Sequence, residues 1–237
     1  MISGPQFARF FKVDLQMQTP ASPQWRDQST KVIITSSEET KRNAARKYLR
    51  RCQEVELEIV AITDHNFAPA AEGSFIKVLQ DENATVAEAM DRSPLVILPG
   101  FEVEADVGKG CHVICVFPQD TPLQVVDARL TGLQLPPDER FLDGNPRQSP
   151  KHLQEIIDVV QKADQYAGIV IAAHATGDKG IFDNDRISEW LQQQEFTNPD
   201  LLCLELPKPL DQMSIGWQRL VTGGPDCDIG WRRSRPG

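Results

Sequence analysis

The chain has 237 residues, 40% of them hydrophobic and 25% charged, with a formal net charge of -9 at pH 7. That length suits one full core or most of an α/β barrel, and the acidic balance argues against a generic, salt-dependent grip on nucleic acid. The five cysteines are odd in number and three lie inside apolar strand patterns, while no signal-peptide layout or apolar run of membrane-spanning length is evident; a reduced, cytoplasmic protein without membrane association is expected.

In chain order, the first predicted strand covers Phe10 to Gln18, where Gln16 and Gln18 share a face. The prolines of Thr19-Pro20-Ala21-Ser22-Pro23 impose an extended loop. Ser36 with Glu39 forms a capping-box signature for a helix to about Val55, with Ala45, Tyr48, Leu49 and Cys52 on one face. It returns the chain to a second strand, Leu57 to Thr63. A helical region from Pro69 to about Met90 follows, with Asp81-Glu82-Asn83 as a point of interruption.

The third strand ends in Pro99-Gly100-Phe101-Glu102, and Gly108-Lys109-Gly110 links it to the fourth by a hairpin-like connection. Residues from Pro118 to Pro150 read as a surface excursion with one short helix. Ser149 as N-cap and Pro150 at the first helical position open a helix whose apolar face is Leu153, Ile156, Ile157, Val160 and Ala163. A strand from Ile169 to His174, a helix near Asp185 to Gln194 with Ile187, Trp190 and Leu191 inward, and a sixth strand from Leu201 to Leu206 complete the pattern. Strands alternating with helices predict an α/β fold of the barrel or open-sheet type.

Three of the four histidines, His65, His112 and His174, lie on or at the ends of these strands, and strand ends are where α/β folds place their chemistry. The run Val60-Ala61-Ile62-Thr63 delivers Asp64 and His65 in this way. Glu102, two residues after Gly100, which allows close backbone approach, is the candidate bridging carboxylate; Glu104, two residues on, faces the same side and is a candidate for outer support. Imidazole and carboxylate donors converging on one rim suit Zn²⁺, Mn²⁺ or Fe²⁺. Such ions polarise a phosphoryl oxygen and acidify bound water, so phosphoester hydrolysis is the natural use. His152 reads as surface, and Arg232, Arg233 and Arg235 as a tail.

Asp14-Leu-Gln-Met-Gln-Thr, Thr63-Asp-His-Asn, Pro99-Gly-Phe-Glu-Val-Glu, Gly110-Cys-His and Ala172-Ala-His174 together resemble the successive motifs of the polymerase and histidinol phosphatase (PHP) superfamily. The resemblance runs from about Phe10 to Leu206, and the loop at Thr19 resembles the subgroup fused to AAA- or SMC-like ATPases. It implies a distorted (β/α)7 TIM-like barrel and a metal-dependent phosphoesterase acting on a phosphorylated small molecule or nucleic acid. It further implies one metal site from Glu102, His112 and His174, a third position served by His65, and an orienting role for Asp64 beside it, with Asp64 and His65 as the catalytic pair.

Two departures from the family pattern stand out. Gln16 and Gln18 occupy the places of two histidines in the first motif, and a neutral amide oxygen is a weaker ligand for zinc than imidazole. The closing Asp-x-His strand is also absent before Gly237, so residues 7–206 read as the PHP-like domain and 207–237 as a Gly- and Arg-containing tail that starts a closing segment, leaving the barrel incomplete at its C-terminus. The expectation is therefore a phosphoesterase with a degenerate site. The alternative is an inactive PHP-like regulatory or binding module acting with an ATPase domain or partner.

Overall fold

The computed structural model describes residues 9–33, 35–67, 75–163, 165–183 and 185–206. The expected tail at 207–237, its three arginines and the start of the second helical region at Pro69 lie outside the described residues. Among the described residues the architecture is mixed α/β, a curled six-stranded sheet forming half a barrel with five helices.

The strands are β1 (Val13–Met17), β2 (Ile59–Ile62), β3 (Val96–Ala105), β4 (Cys111–Val116), β5 (Ile169–Ala172) and β6 (Cys203–Leu204), adjacent in that order. β1, β2 and β3 pair in parallel, β4 runs antiparallel to both of its neighbours, and β5 and β6 are again parallel. Every strand except β4 therefore points the same way, and the start of β4 meets the ends of the others on one rim. Length alone explains the reversal, since a short glycine turn permits a hairpin whereas a parallel return needs a crossover of a dozen or more residues.

Side-chain alternation divides the sheet into two faces. Val60, Ile62, Ile97, Phe101, Val103, Val113, Cys115, Val170 and Ala172 enter the large core beneath the helices. Their neighbours Ala61, Ile114, Val116, Ile171 and Ala173 form a smaller cluster on the other face, joined by Leu98 and Ile169. Counting in twos from Leu98 gives Gly100, Glu102 and Glu104, and counting back from Ile114 gives His112. The polar residues thus continue the small-cluster face onto the rim.

The helices are α1 (Glu38–Glu54), α2 (Phe75–Ala89), α3 (Leu123–Gly132), α4 (Leu153–Gln161) and α5 (Glu189–Phe196). α1 is capped by Ser37, whose side chain accepts from the Thr40 N–H at 3.2 Å, one residue beyond the expected Ser36, which instead accepts from the Ile33 N–H. α2 runs unbroken through Asp81-Glu82-Asn83. Its Glu82 is buried against Arg46 at 2.6 Å and Arg42 at 3.5 Å on α1, and Asn83 bonds the Leu95 backbone through both ends of its amide. The polar trio fastens the helix to its surroundings rather than interrupting it.

α4 starts three residues later than expected, with His152 as N-cap and its N–H held by Glu155 at 2.9 Å. Ser149 is buried and donates to the Leu133 carbonyl at 2.8 Å. Trp190, expected inward, is 70% exposed, whereas Ile187 is buried just before α5. The excursion holds more than one helix: after α3 come a 3-10 turn (Pro137–Glu139) and a two-stranded hairpin, Phe141–Leu142 with Asn145–Pro146. Among the described residues no helix is long and apolar enough to cross a membrane.

Candidate metal centre

The centre is assembled from the ends of β2 and β3, the start of β4 and the bend after β5. Glu102 is its hub. It is 1% exposed, because it faces the interior of the curl and is covered by three imidazoles. His112 Nδ1 lies 2.8 Å from Glu102 Oε1, His174 Nε2 lies 3.6 Å from the same oxygen, and His65 Nε2 lies 3.7 Å from Oε2. Donor atoms of His65, Glu102 and His112 all lie within 4.8 Å of one another, a group able to hold a metal ion.

His174 adjoins this group, its Nε2 lying 3.3 Å from His112 Nδ1. The donors that the resemblance implies, Glu102, His112 and His174, thus lie within 3.6 Å of one another, and His65 approaches the other carboxylate oxygen. The backbone presents the two histidines differently. His65 makes a bridge to Glu102 in register with the strands, whereas His174 follows the end of β5 in a left-handed bend with φ of 28°, its N–H donating to Glu205 Oε2 at 2.6 Å.

The protonation chemistry follows from these contacts. Burial alone disfavours the Glu102 carboxylate, yet hydrogen bonds from His112 and His174 outweigh it and hold the group far below the usual carboxylate range. Burial pushes His65 down, overcoming the attraction of Glu102, so its ring is neutral and ready to ligate near pH 7. Burial also opposes charge on His112, but its contacts with Glu102 and Glu104 win and raise it.

Asp64 is buried but stands outside the donor group. Its two oxygens accept from the Thr19 N–H and hydroxyl, each at 2.7 Å. Burial raises its carboxyl to about 7 against the pull of those two bonds. Its visible task is to fasten the loop after β1 to the end of β2. Asn66 does the same for the excursion, donating to the Arg140 and Arg147 carbonyls at 2.8 Å each.

Gln16 reaches the hub, its amide nitrogen lying 3.2 Å from Glu102 Oε2. Gln18 accepts from the Ser22 hydroxyl at 3.4 Å. Lys179 and Glu205 were not singled out by sequence reasoning, and Thr19 was read only as part of a motif and the start of a loop, not as a partner of Asp64. Glu205 carried a signal, as the one charged residue in the apolar run Leu201 to Leu206, but Thr19 and Lys179 sit in loops with no periodicity to read.

Fold and site together define a mixed α/β protein with a His/Glu/His candidate metal group on one rim of a curled sheet. No family model matches the chain, and no curated protein matches its sequence. Among solved structures it is similar to the crystal structure of PsfC from Pseudomonas syringae PB-5123, at a TM-score of 0.37 and 16% identity over 75% of this chain and 58% of that one. The chain thus spans less than two thirds of that protein, and the functional reading rests on the residues of the site.

Proposed function

We propose that the chain is a metal-dependent phosphoesterase of PHP type, its half-barrel sheet being part of a distorted seven-stranded barrel. The observation that carries the reading is the convergence of His65, Glu102 and His112 within 4.8 Å. Two imidazoles and one carboxylate are a donor set that Zn²⁺, Mn²⁺ and Fe²⁺ accept. A divalent ion so held supplies a Lewis acid for a phosphoryl oxygen and a means of acidifying water. The chain's own part is to present the donors, of which His112 must first shed its proton. Glu102 offers a full negative charge, His65 a neutral ring, and His174 a further imidazole on the same side. Asp64, closed off by Thr19, orients the His65 end of β2. The substrate class is a phosphoester, in a small molecule or in nucleic acid.

A second reading draws on one observation, the Gln16 amide at Glu102 Oε2. A donor there satisfies the carboxylate by hydrogen bonding where the family pattern has a ligand, which favours an inactive module that binds a phosphorylated ligand or serves an ATPase domain or partner. Plasma mass spectrometry for metal, on protein purified without chelator, separates the readings when paired with turnover of p-nitrophenyl phosphate and its bis-ester in Mn²⁺. Metal and turnover in the parent, both lost in a Glu102→Ala/His174→Ala variant, support the esterase. Metal without turnover supports the module, and neither metal nor turnover, even after soaking in Mn²⁺ or Zn²⁺, refutes a metal site.

A further inference from the structure

Glu104, a candidate for outer support from its place in the sequence, stands beside the centre outside the donor group. It stands directly opposite His112 across the β3–β4 hairpin, where paired side chains begin about 4.5–5.5 Å apart. The His112 ring consequently lies between two carboxylates, with Nδ1 toward Glu102 at 2.8 Å and Nε2 toward Glu104 Oε2 at 3.6 Å. The second separation is that of an ion pair rather than a formed hydrogen bond.

Glu104 is itself held in place. Lys179 Nζ lies 2.6 Å from Oε2 and Arg186 Nη2 3.4 Å from Oε1. The turn is shaped around it as well: Gly110 has φ of 102°, and a Cβ there would collide with the Glu104 carboxylate. These three supports, from two separate loops, fix an acceptor on the side of the His112 ring that faces away from Glu102.

We propose that Glu104 is a positioning residue for His112: with a divalent ion on Nδ1, its carboxylate accepts the Nε2 hydrogen and sets the ring's orientation and tautomer. The inference rests on the metal-binding reading. A ligating histidine generally gives its other N–H to such an acceptor, and loss of the acceptor lowers metal affinity by about 10–100-fold.

The test compares the parent with Glu104→Gln and Glu104→Leu, using Zn²⁺ competition against a chromophoric chelator and the visible absorption of the Co²⁺-loaded proteins. The expected order of Zn²⁺ affinity is parent, Glu104→Gln, Glu104→Leu, with a total loss of about 10–100-fold and displaced cobalt bands. A purely structural role for Glu104 would lower thermal stability and leave those bands in place. Affinities within about twofold and unchanged bands in both variants overturn the positioning role alone. A parent that takes up neither ion overturns the metal reading and this inference together. If both Glu104 variants fail to fold, Lys179→Met decides: displaced cobalt bands support the proposal and unchanged bands overturn it.

Discussion

Replacing Glu102 by Gln keeps the shape of the hub and removes its charge, so the variant weighs charge against burial directly. The carboxylate is 1% exposed, and burying an unpaired anion is strongly unfavourable. The surrounding imidazoles nevertheless leave it far below the usual carboxylate range, which means that the folded protein favours the ionised form more than water does. Neutralising it at pH 7 therefore destabilises the metal-free fold. A charge-assisted hydrogen bond contributes about 1.5–3 kcal/mol, and at this chain length 1 kcal/mol corresponds to about 2–4 °C in Tm, so a drop on the order of 5 °C is expected.

The sign can be checked through pH. A carboxylate with a depressed folded pKa contributes stability that is complete above its unfolded value, near 4.5, and fades as pH falls below it. The gap between parent and variant should accordingly narrow in acid. Adding Zn²⁺ at about 100 times its Kd should raise the parent by about 2.7 kcal/mol through mass action and leave Glu102→Gln unmoved. Calorimetry of chelator-treated and Zn²⁺-loaded samples reads both effects. A metal-free variant as stable as the parent at pH 7 refutes the claim that the histidines compensate the buried charge.

Metal affinity should rise with pH through the titration of His112, which lies above 6.5, because a ligating ring must shed a proton. The metal-free protein should show the opposite trend. The contribution of His112 is complete below its unfolded pKa and is lost as pH rises through the raised folded value; Tm and Zn²⁺ affinity from about pH 6 to about pH 9 should cross, and parallel trends would contradict the assignment. Gly100→Ala would drive a methyl into the Cys115 carbonyl and to 3.1 Å from Thr63 Cγ2, at a cost of about 1–3 kcal/mol for overpacking; an unchanged Tm would show that β3 and β4 separate freely. Among the described cysteines, exposed Cys203 should alkylate first. Burial raises Cys52 to about 11, Cys111 to about 12 and Cys115 further still, so these three should react only on unfolding, as peptide mapping after a timed alkylation will show.

The strands were legible because continuous β-branched runs such as Ile169 to Ala172 leave little choice of structure, and their ends pointed to His65, Glu102 and His174. The place of His112 was legible through its glycine turn, which forces a reversal and brings a strand's beginning to the others' ends. Tertiary partners were the hidden part. Glu82 looked like a helix breaker because its partners, Arg42 and Arg46, lie on another helix, and a polar trio cannot announce a distant ion pair. Trp190 carried the right spacing for an inward face, but periodicity says nothing of whether a neighbouring element is there to cover it. Which oxygen of Glu102 each of His65 and His174 approaches depended on a few ångströms of backbone after each strand, below what motif spacing resolves.

The reversal of β4 has a kinetic side. Glu102, Glu104 and His112 lie within one hairpin, so closing a loop of a few residues suffices to bring them together, and such closure precedes distant pairing in folding. His65 and His174 lie some forty and sixty residues from their contacts in this centre and arrive only when β2 docks on β3 and β5 on β4. Two carboxylates and one imidazole are therefore expected to meet early on a nascent ribbon, able to hold an ion loosely, with the remaining histidines closing around it as the sheet is completed. Hydrogen exchange during refolding should find the 101–116 amides protected ahead of those near 59–65.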